Sequence, residues 1–267
     1  MNTIRIKAHA KINLVLSVGD KRSDGYHSIY TVLQAIELHD NIEISKDSSG
    51  SIRVLCTIDE LSGERNLAYK ALRLLREWVE VPPLRVFIDK NIPIQAGLGG
   101  GSSDAAAVLC AVNVMLGRIV PEKDLLDIAS ACGSDVPFFL LRRATGVATG
   151  RGDEVSLFEA PPSFPIVIAK PQVGCDTATM YESLKTKSGA KPPSETFFND
   201  FDAIAPQESA DLISRLGGHL CGSGSAVWSK VADGQQAEQI AAQLRGEGYW
   251  AISSRTLESI EEPEWIS

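Results

Sequence analysis

One segment constrains this chain more than any other: Pro93-Ile-Gln-Ala-Gly97-Leu-Gly99-Gly100-Gly101-Ser102-Ser103-Asp104-Ala-Ala-Ala107. Four glycines and two serines run straight into an alanine-rich stretch of high helix propensity. Glycines without a Cβ let the backbone wrap closely and turn successive N–H groups inward. A helix that follows adds its unpaired amides and partial positive charge. The spacing predicts a loop that cradles an anion, most naturally a di- or triphosphate, ahead of a helix over Asp104 to Leu116 with a serine as its cap. A flexible linker fits less well, because linkers rarely end in a capping serine and a tight helix former. Two common phosphate motifs are excluded by the letters. There is no Gly-Lys-Ser/Thr, so this is not a P-loop, and counting from Gly97 puts Ser102, and from Gly99 Asp104, where a dinucleotide fingerprint needs its third glycine. The Asp-Phe-Gly and His-Arg-Asp marks of protein kinases are missing too. A third way of holding a nucleotide is required.

The rest of the chain is long enough to bury a core around that loop. Its 267 residues suit one large domain or two small ones, with no need of disulfides or a structural metal. Strands are predicted over 3–8, 12–18, Asn41 to Lys46 and Leu84 to Asp89. Leu67, Ala71, Leu74, Leu75 and Trp78 recur at helical spacing within 66–79, and Pro121 and Gly133 bracket a further helix. Composition shifts at Ala160 to Pro165, which puts a boundary between about 153 and 165 and suggests units of 1–155 and 156–267. The second unit alternates strands (Ile166 to Lys170, Ala226 to Val231, Trp250 to Ser254) with helices (Glu208 to Leu216, Gln235 to Arg245), a small α+β pattern with a loop over 185–195. A net charge of −8 offers no long-range attraction to nucleic acid or anionic membranes. No apolar run is long enough to span a bilayer, and Arg5, Lys7 and Lys11 interrupt the start before a signal-peptide core could form. The five cysteines are scattered and odd in number, without a CxxC pair, and read as reduced residues of a cytoplasmic protein.

Two further segments join the first. Ala10-Lys11-Ile12-Asn13-Leu14 sets a charge in an otherwise apolar strand, where it needs a partner. Gly222-Ser223-Gly224-Ser225-Ala226 is a second glycine cluster, placed to close over the same phosphates from the second unit. In order and spacing, these three segments resemble the motifs of the GHMP small-molecule kinases. Asp24-Gly25-Tyr26-His27, the triple glycine, and Gly133-Ser134-Asp135-Val136-Pro137 narrow the resemblance to the branch acting on a cytidine diphosphate-linked methylerythritol in the non-mevalonate route to isoprenoid precursors. Kinases of the homoserine or mevalonate type are the alternative, but an acceptor without a base has no need of a Tyr-His pocket.

The resemblance implies an α+β fold of two domains, the first like domain 2 of ribosomal protein S5 and the second ferredoxin-like, with the active site in the cleft between them. It implies transfer of the γ-phosphoryl group of ATP, with Mg²⁺, to the 2-hydroxyl of the acceptor. Asp135 would take the hydroxyl proton and Lys11 would offset developing charge. Asn66, Pro93, Gly97, Leu98, Gly99, Gly100, Gly101, Ser102 and Ser103 would hold ATP. Asn66 is equally suited to capping a helix, and either Ser102 or Ser103 could meet phosphate or Mg²⁺. Tyr26 and Tyr181 would sandwich cytosine while His27 reads its edge, and Asn13, Thr177, Gly222 and Ser223 would also contact the acceptor. Asp153, in a Gly-rich turn, is structural. The expected partners are small molecules only, and the protein is expected to be a monomer or weak homodimer.

Overall fold

The computed structural model describes residues 3–185, 190, 192 and 196–266, so most of the predicted 185–195 loop lies outside the described residues. Two long antiparallel strands, β1 (Thr3–Lys21) and β2 (His27–Lys46), form its spine. Then come β3 (Arg53–Cys56), α1 (Leu67–Leu75), β4 (Leu84–Asp89), α2 (Gly100–Met115), α3 (Glu122–Cys132), α4 (Val136–Leu140), β5 (Thr145–Thr149) and β6 (Glu154–Leu157). The second half contributes β7 (Pro165–Lys170), α5 (Thr177–Ser183), β8 (Phe198–Asn199), α6 (Gln207–Leu216), β9 (His219–Leu220), β10 (Val227–Lys230), α7 (Gly234–Gly246), β11 (Trp250–Arg255) and β12 (Glu264–Ile266).

The first sheet runs β12-β1-β2-β4-β3, with β5 and β6 continuing from β2 and β8 alongside β1. The second is β11-β7-β10-β9, antiparallel throughout. Taken with α6 and α7, its strands follow strand-helix-strand-strand-helix-strand, and the sheet order by appearance is fourth, first, third, second. This is the ferredoxin-like arrangement expected, and the chain as a whole is α+β. Crossing between the sheets takes residues 158–164, after which, among the described strands, β8 and β12 return to the first.

The first sheet is covered on both sides. Ile4, Ile6 and Ala8 pack with α1, α2 and α4 in one core, whereas Ala10, Ile12 and Leu14 pack with Ile166, Ile168 and Trp228 of the second sheet. The changeover coincides with a register irregularity between His9 and Lys11. Irregularities of this kind re-aim a side chain, and here one lies beside the strand's only central lysine. α2 is buried almost all round, which is why its sequence is a run of alanine and valine.

Several boundaries differ from expectation. Segments 3–8 and 12–18 are one strand, and β2 begins at His27 rather than Asn41, because burial on both faces removes the polar-apolar alternation that marks a half-buried strand. The helix expected to reach Val79 ends at Leu75, leaving Trp78 exposed. α2 starts at Gly100, not Asp104. Its N-cap is Gly99 at φ +73°, and no side chain caps it, so the expected serine cap is absent.

Candidate active site

Two cavities meet at the glycine loop. The smaller, about 240 Å³, is lined by Asn66, Pro93, Leu98, Gly100 and Gly101 among others. The larger, about 640 Å³, contains Lys11, Asn13, Tyr26, His27, Asp135 and Tyr181. Gly97 and Gly99 line both. A ligand long enough to pass this junction would therefore reach from one chamber into the other.

The loop's four glycines have different reasons. A Cβ on Gly97 would stand 1.7 Å from the Cys221 carbonyl oxygen, and one on Gly99 would stand 2.8 Å from the Phe139 ring, both at positive φ. A Cβ on Gly100 would meet Lys90 Nζ at 2.9 Å. Around Gly101 a Cβ would find nothing within 4 Å. The amides of Gly100, Gly101 and Ser102 precede the first bond of the helix, from Ser103 N–H to the Gly99 carbonyl at 2.9 Å. They form the positive end of a 16-residue helix, suited to anionic oxygens. Ser102 lines the larger cavity, whereas Ser103 is buried and donates its hydroxyl to the His9 carbonyl at 2.7 Å. Ser103 is thus a strap between α2 and β1, and its expected part in phosphate or metal binding is corrected. Asn66 is the N-cap of α1: its Oδ1 accepts from Ala68 N–H, and its Nδ2 donates to Leu61 O. Its amide is used in capping, though it also lines the smaller cavity.

Beneath the loop lies a group the sequence reading missed. Lys90 Nζ is 2.5 Å from Asp40 Oδ2 and 2.7 Å from Asp104 Oδ2, with all three side chains at most 4% exposed. Asp40 Oδ1 also accepts from the backbone N–H groups of Asn91 and Ile92. These bonds tie β2 to the segment between β4 and the loop and to the first turns of α2. Burial and the neighbouring Asp40 raise the pKa of Asp104, against the pull of Lys90. The available signal was a lysine followed by Asn-Ile-Pro just before the glycines, easily taken for a surface residue.

At the junction, Lys11 Nζ lies 4.0 Å from Asp135 Oδ2, with the lysine side chain 5% exposed and the aspartate 39%. Asp135 precedes α4, in the turn after Gly133. Asn13 orients the lysine, its Oδ1 accepting from Lys11 Nζ at 2.8 Å and from Gly222 N–H at 2.8 Å while its Nδ2 donates to Thr31. The Gly222 carbonyl in turn accepts from Asn199 Nδ2. Both backbone groups of Gly222 are therefore taken by protein, which corrects the expectation that this cluster presents them to phosphate.

The far end of the larger cavity is aromatic. Tyr181 packs edge-on against Phe201 and lies 5.5 Å from the His27 ring, and burial together with the nearby Asp135 charge pushes its hydroxyl pKa up. His27 Nδ1 is 2.9 Å from the Gly19 carbonyl. Because a carbonyl can only accept, Nδ1 carries the proton, and in the neutral ring Nε2 is an acceptor. Tyr26 is 51% exposed, with the Arg151 guanidinium 5.3 Å from its ring centroid. Arg151, another residue not anticipated, is pinned by Asp153 at 2.6 Å and by the Ser130 carbonyl. Thr177 opens α5 and accepts from the Ser223 hydroxyl at 3.1 Å. Every expected site residue except Ser103 thus lines one cavity or the other.

The chain is similar to known proteins in sequence and in fold. Residues 66–143 match the family described as GHMP kinases N terminal domain. The 4-diphosphocytidyl-2-C-methyl-D-erythritol kinase of Geobacter sulfurreducens is 35% identical over 96% of this chain and all of its own length. The protein of that name from Exiguobacterium sibiricum is 38% identical over 82% of this chain and 76% of its own. A crystal structure of 4-(cytidine 5'-diphospho)-2C-methyl-D-erythritol kinase superposes with a TM-score of 0.77 at 30% identity, covering 94% of this chain and 98% of that one. A homoserine kinase from Cytophaga hutchinsonii shares the fold, with a TM-score of 0.68 at 15% identity, covering 100% of this chain and 98% of that one.

Proposed function

The chain belongs to the 4-diphosphocytidyl-2-C-methyl-D-erythritol kinases, a branch of the GHMP kinases, and from that membership we propose how its two cavities divide the reaction. It is an ATP-dependent kinase of the methylerythritol phosphate route to isoprenoid precursors. ATP occupies the smaller cavity, its base beside the apolar Leu61, Pro93 and Ile94, its phosphates running over the amides of Gly100, Gly101 and Ser102 toward Lys11. The cytidylated alcohol fills the larger one, with its 2-hydroxyl at the junction. The observation that carries this reading is the Lys11–Asp135 pair where the chambers meet.

Phosphoryl transfer asks for positioning and charge more than for covalent chemistry. Asp135 accepts the hydroxyl proton as the oxygen bonds to the γ-phosphorus and ADP leaves. Lys11, held by Asn13, offsets the charge that builds on the transferred oxygens. No group of three or more metal-binding side chains exists among the described residues. That suits Mg²⁺, which keeps waters and phosphate ligands and needs only one or two protein groups. Ser102, which lines the larger cavity beside the helix-end amides, would hold it, and bound there it would neutralise phosphate charge. At the other end Tyr26 and Tyr181 flank cytosine, and Thr177 and Ser223 lie along its tail. His27 Nε2, an acceptor, suits the 4-amino donor of cytosine and opposes the 4-oxygen of uracil. The free cysteines fit a reducing cytoplasm.

Asp135→Asn tests the assignment. We expect kcat to fall about 10²- to 10⁴-fold, the usual worth of a general base, with affinity for an ATP analogue unchanged. ADP release measured with and without the cytidylated alcohol reads it, and turnover within about threefold of the parent would remove Asp135 from that role.

A further inference from the structure

A third cavity, of about 320 Å³, lies at the opposite end of α2 from the glycine loop. Cys110 and Asn113 of α2, the start of α3 and the end of α4 surround it. At 1.5 Å per residue, Gly100 and Asn113 are roughly 20 Å apart along the helix, so this space is separate from both catalytic chambers.

Two arginines converge on it. Arg118 and Arg142 both line the cavity, and both hold a positive φ, 59° and 49°. Among the described residues only one other non-glycine residue, Gln95, does so. Left-handed backbone at a residue with a Cβ is unfavourable and tends to gather at ligand clamps. Arg142 is the more unusual of the pair. Its Nε and Nη2 are buried and find no hydrogen-bond partner. These two nitrogens lie on one edge of the guanidinium, the side-on fork that matches a carboxylate or phosphate with two parallel bonds. A buried cation left unpaired is costly unless a binding partner offsets it.

Among the described residues, no neighbour bonds those two nitrogens: Glu262, which also lines the cavity, and Glu261 act on Arg142 only through space. Arg118 reaches Glu262 at 3.3 Å, in a pair whose side chains are both more than 60% exposed, 65% and 64%. Burial raises the pKa of the Cys110 thiol, keeping it neutral. Glu122 is exposed.

We propose that this cavity is a second ligand site, taking a small anion with a carboxylate or phosphate group, gripped side-on by Arg142 with Arg118 at the rim. The site is independent of the kinase assignment.

Calorimetry on the intact protein tests it, with the catalytic cleft filled by a non-hydrolysable ATP analogue so that the glycine loop cannot contribute. Inorganic phosphate and malonate are titrated separately against chloride at matched ionic strength, and the one that binds identifies the group. We expect one to bind the parent, and both Arg142→Met and Arg142→Lys to weaken it at least tenfold, since lysine keeps the charge but loses the fork. Glu262→Gln should leave binding unchanged or tighten it. If Arg142→Met fails to fold, Arg142→Lys carries the comparison. Absence of binding by either anion beyond chloride would overturn the proposal, as would equal binding by the parent and both Arg142 variants. So would loss of stability in Glu262→Gln without any anion binding, which would make the protein's own tail the partner of Arg142.

Discussion

The two glycine clusters look alike as letters and do opposite things. Around Gly101 the first cluster leaves room on its outer side, and the amides of 100–102 end a helix at a cavity. The second is closed by protein. Gly222 gives its N–H to Asn13 and its carbonyl to Asn199, and Gly224 N–H bonds to the Cys221 carbonyl at 2.8 Å. Ser225 and Ala226 donate to the carbonyls of Gln95 and Ala96 at 3.3 and 3.2 Å. The first cluster itself divides, because Gly97 is glycine so that the second can lie against it. Missing Cβ atoms mark a close approach of backbone to something, and only the unspent N–H groups tell whether that something is a ligand or another stretch of chain.

The largest effect should come from breaking the contact between the clusters. Gly97→Ala puts a methyl group onto the Cys221 carbonyl, 1.7 Å away, at a φ of +74°. We expect a loss of about 3 kcal/mol or more of stability, combining backbone strain with a collision neither loop can relieve alone. Gly101→Ala is the counterpart. Its methyl group meets no protein atom, so the midpoint of urea unfolding should hold or rise slightly while the KM for ATP rises about tenfold. If the two variants changed stability equally, the distinction between a packing glycine and a ligand glycine would fail.

A smaller effect is expected where one side chain serves both Lys11, the lysine proposed to act in catalysis, and the second cluster. Asn13→Ala frees Lys11 Nζ and leaves the buried Gly222 N–H without its acceptor. We expect a stability cost of about 1–3 kcal/mol from the unsatisfied groups. The kcat should drop about 10- to 100-fold through a misplaced lysine, with little change in KM for ATP. A variant that raised the acceptor's KM and kept kcat would instead place Asn13 on the substrate and reopen the second cluster as a ligand loop.

What could be read from the sequence follows the same division. The glycine loop and the Lys11 motif stood out because each puts an unusual residue in a place that local structure cannot explain, whereas Asp135 was singled out only through the resemblance, since a Gly-x-Asp-x-Pro turn accounts for an aspartate by itself. The ferredoxin-like half was legible from its alternation of short strands with amphipathic helices. Most of β2 was not, because Leu33, Ala35, Ile36 and Leu38 are buried between two layers and lose the alternation that marks a strand. The Lys90–Asp40–Asp104 group was invisible for another reason: its members lie 50 and 14 residues apart, and only the fold brings them together. Arg151 was hidden likewise, since its contact with Tyr26 joins two turns distant in the chain.

The finest version of the comparison lies within the first cluster, between adjacent serines of one helical turn. Ser103 spends its hydroxyl on the His9 carbonyl, 2.7 Å away and out of solvent, whereas Ser102 faces the larger cavity. Ser103→Ala therefore removes a buried hydrogen bond and leaves a carbonyl unpaired, at a cost of about 1 kcal/mol, with the KM for ATP unchanged. Ser102→Ala removes nothing the folded protein uses. Its stability should stay within about 0.5 kcal/mol of the parent, while the KM for ATP or the Mg²⁺ requirement rises a few-fold. Urea unfolding and steady-state kinetics on the pair read the two quantities independently. A Ser103→Ala protein of parental stability and weakened nucleotide binding would exchange the roles of the two serines, and would mean that this turn rotates when phosphate arrives.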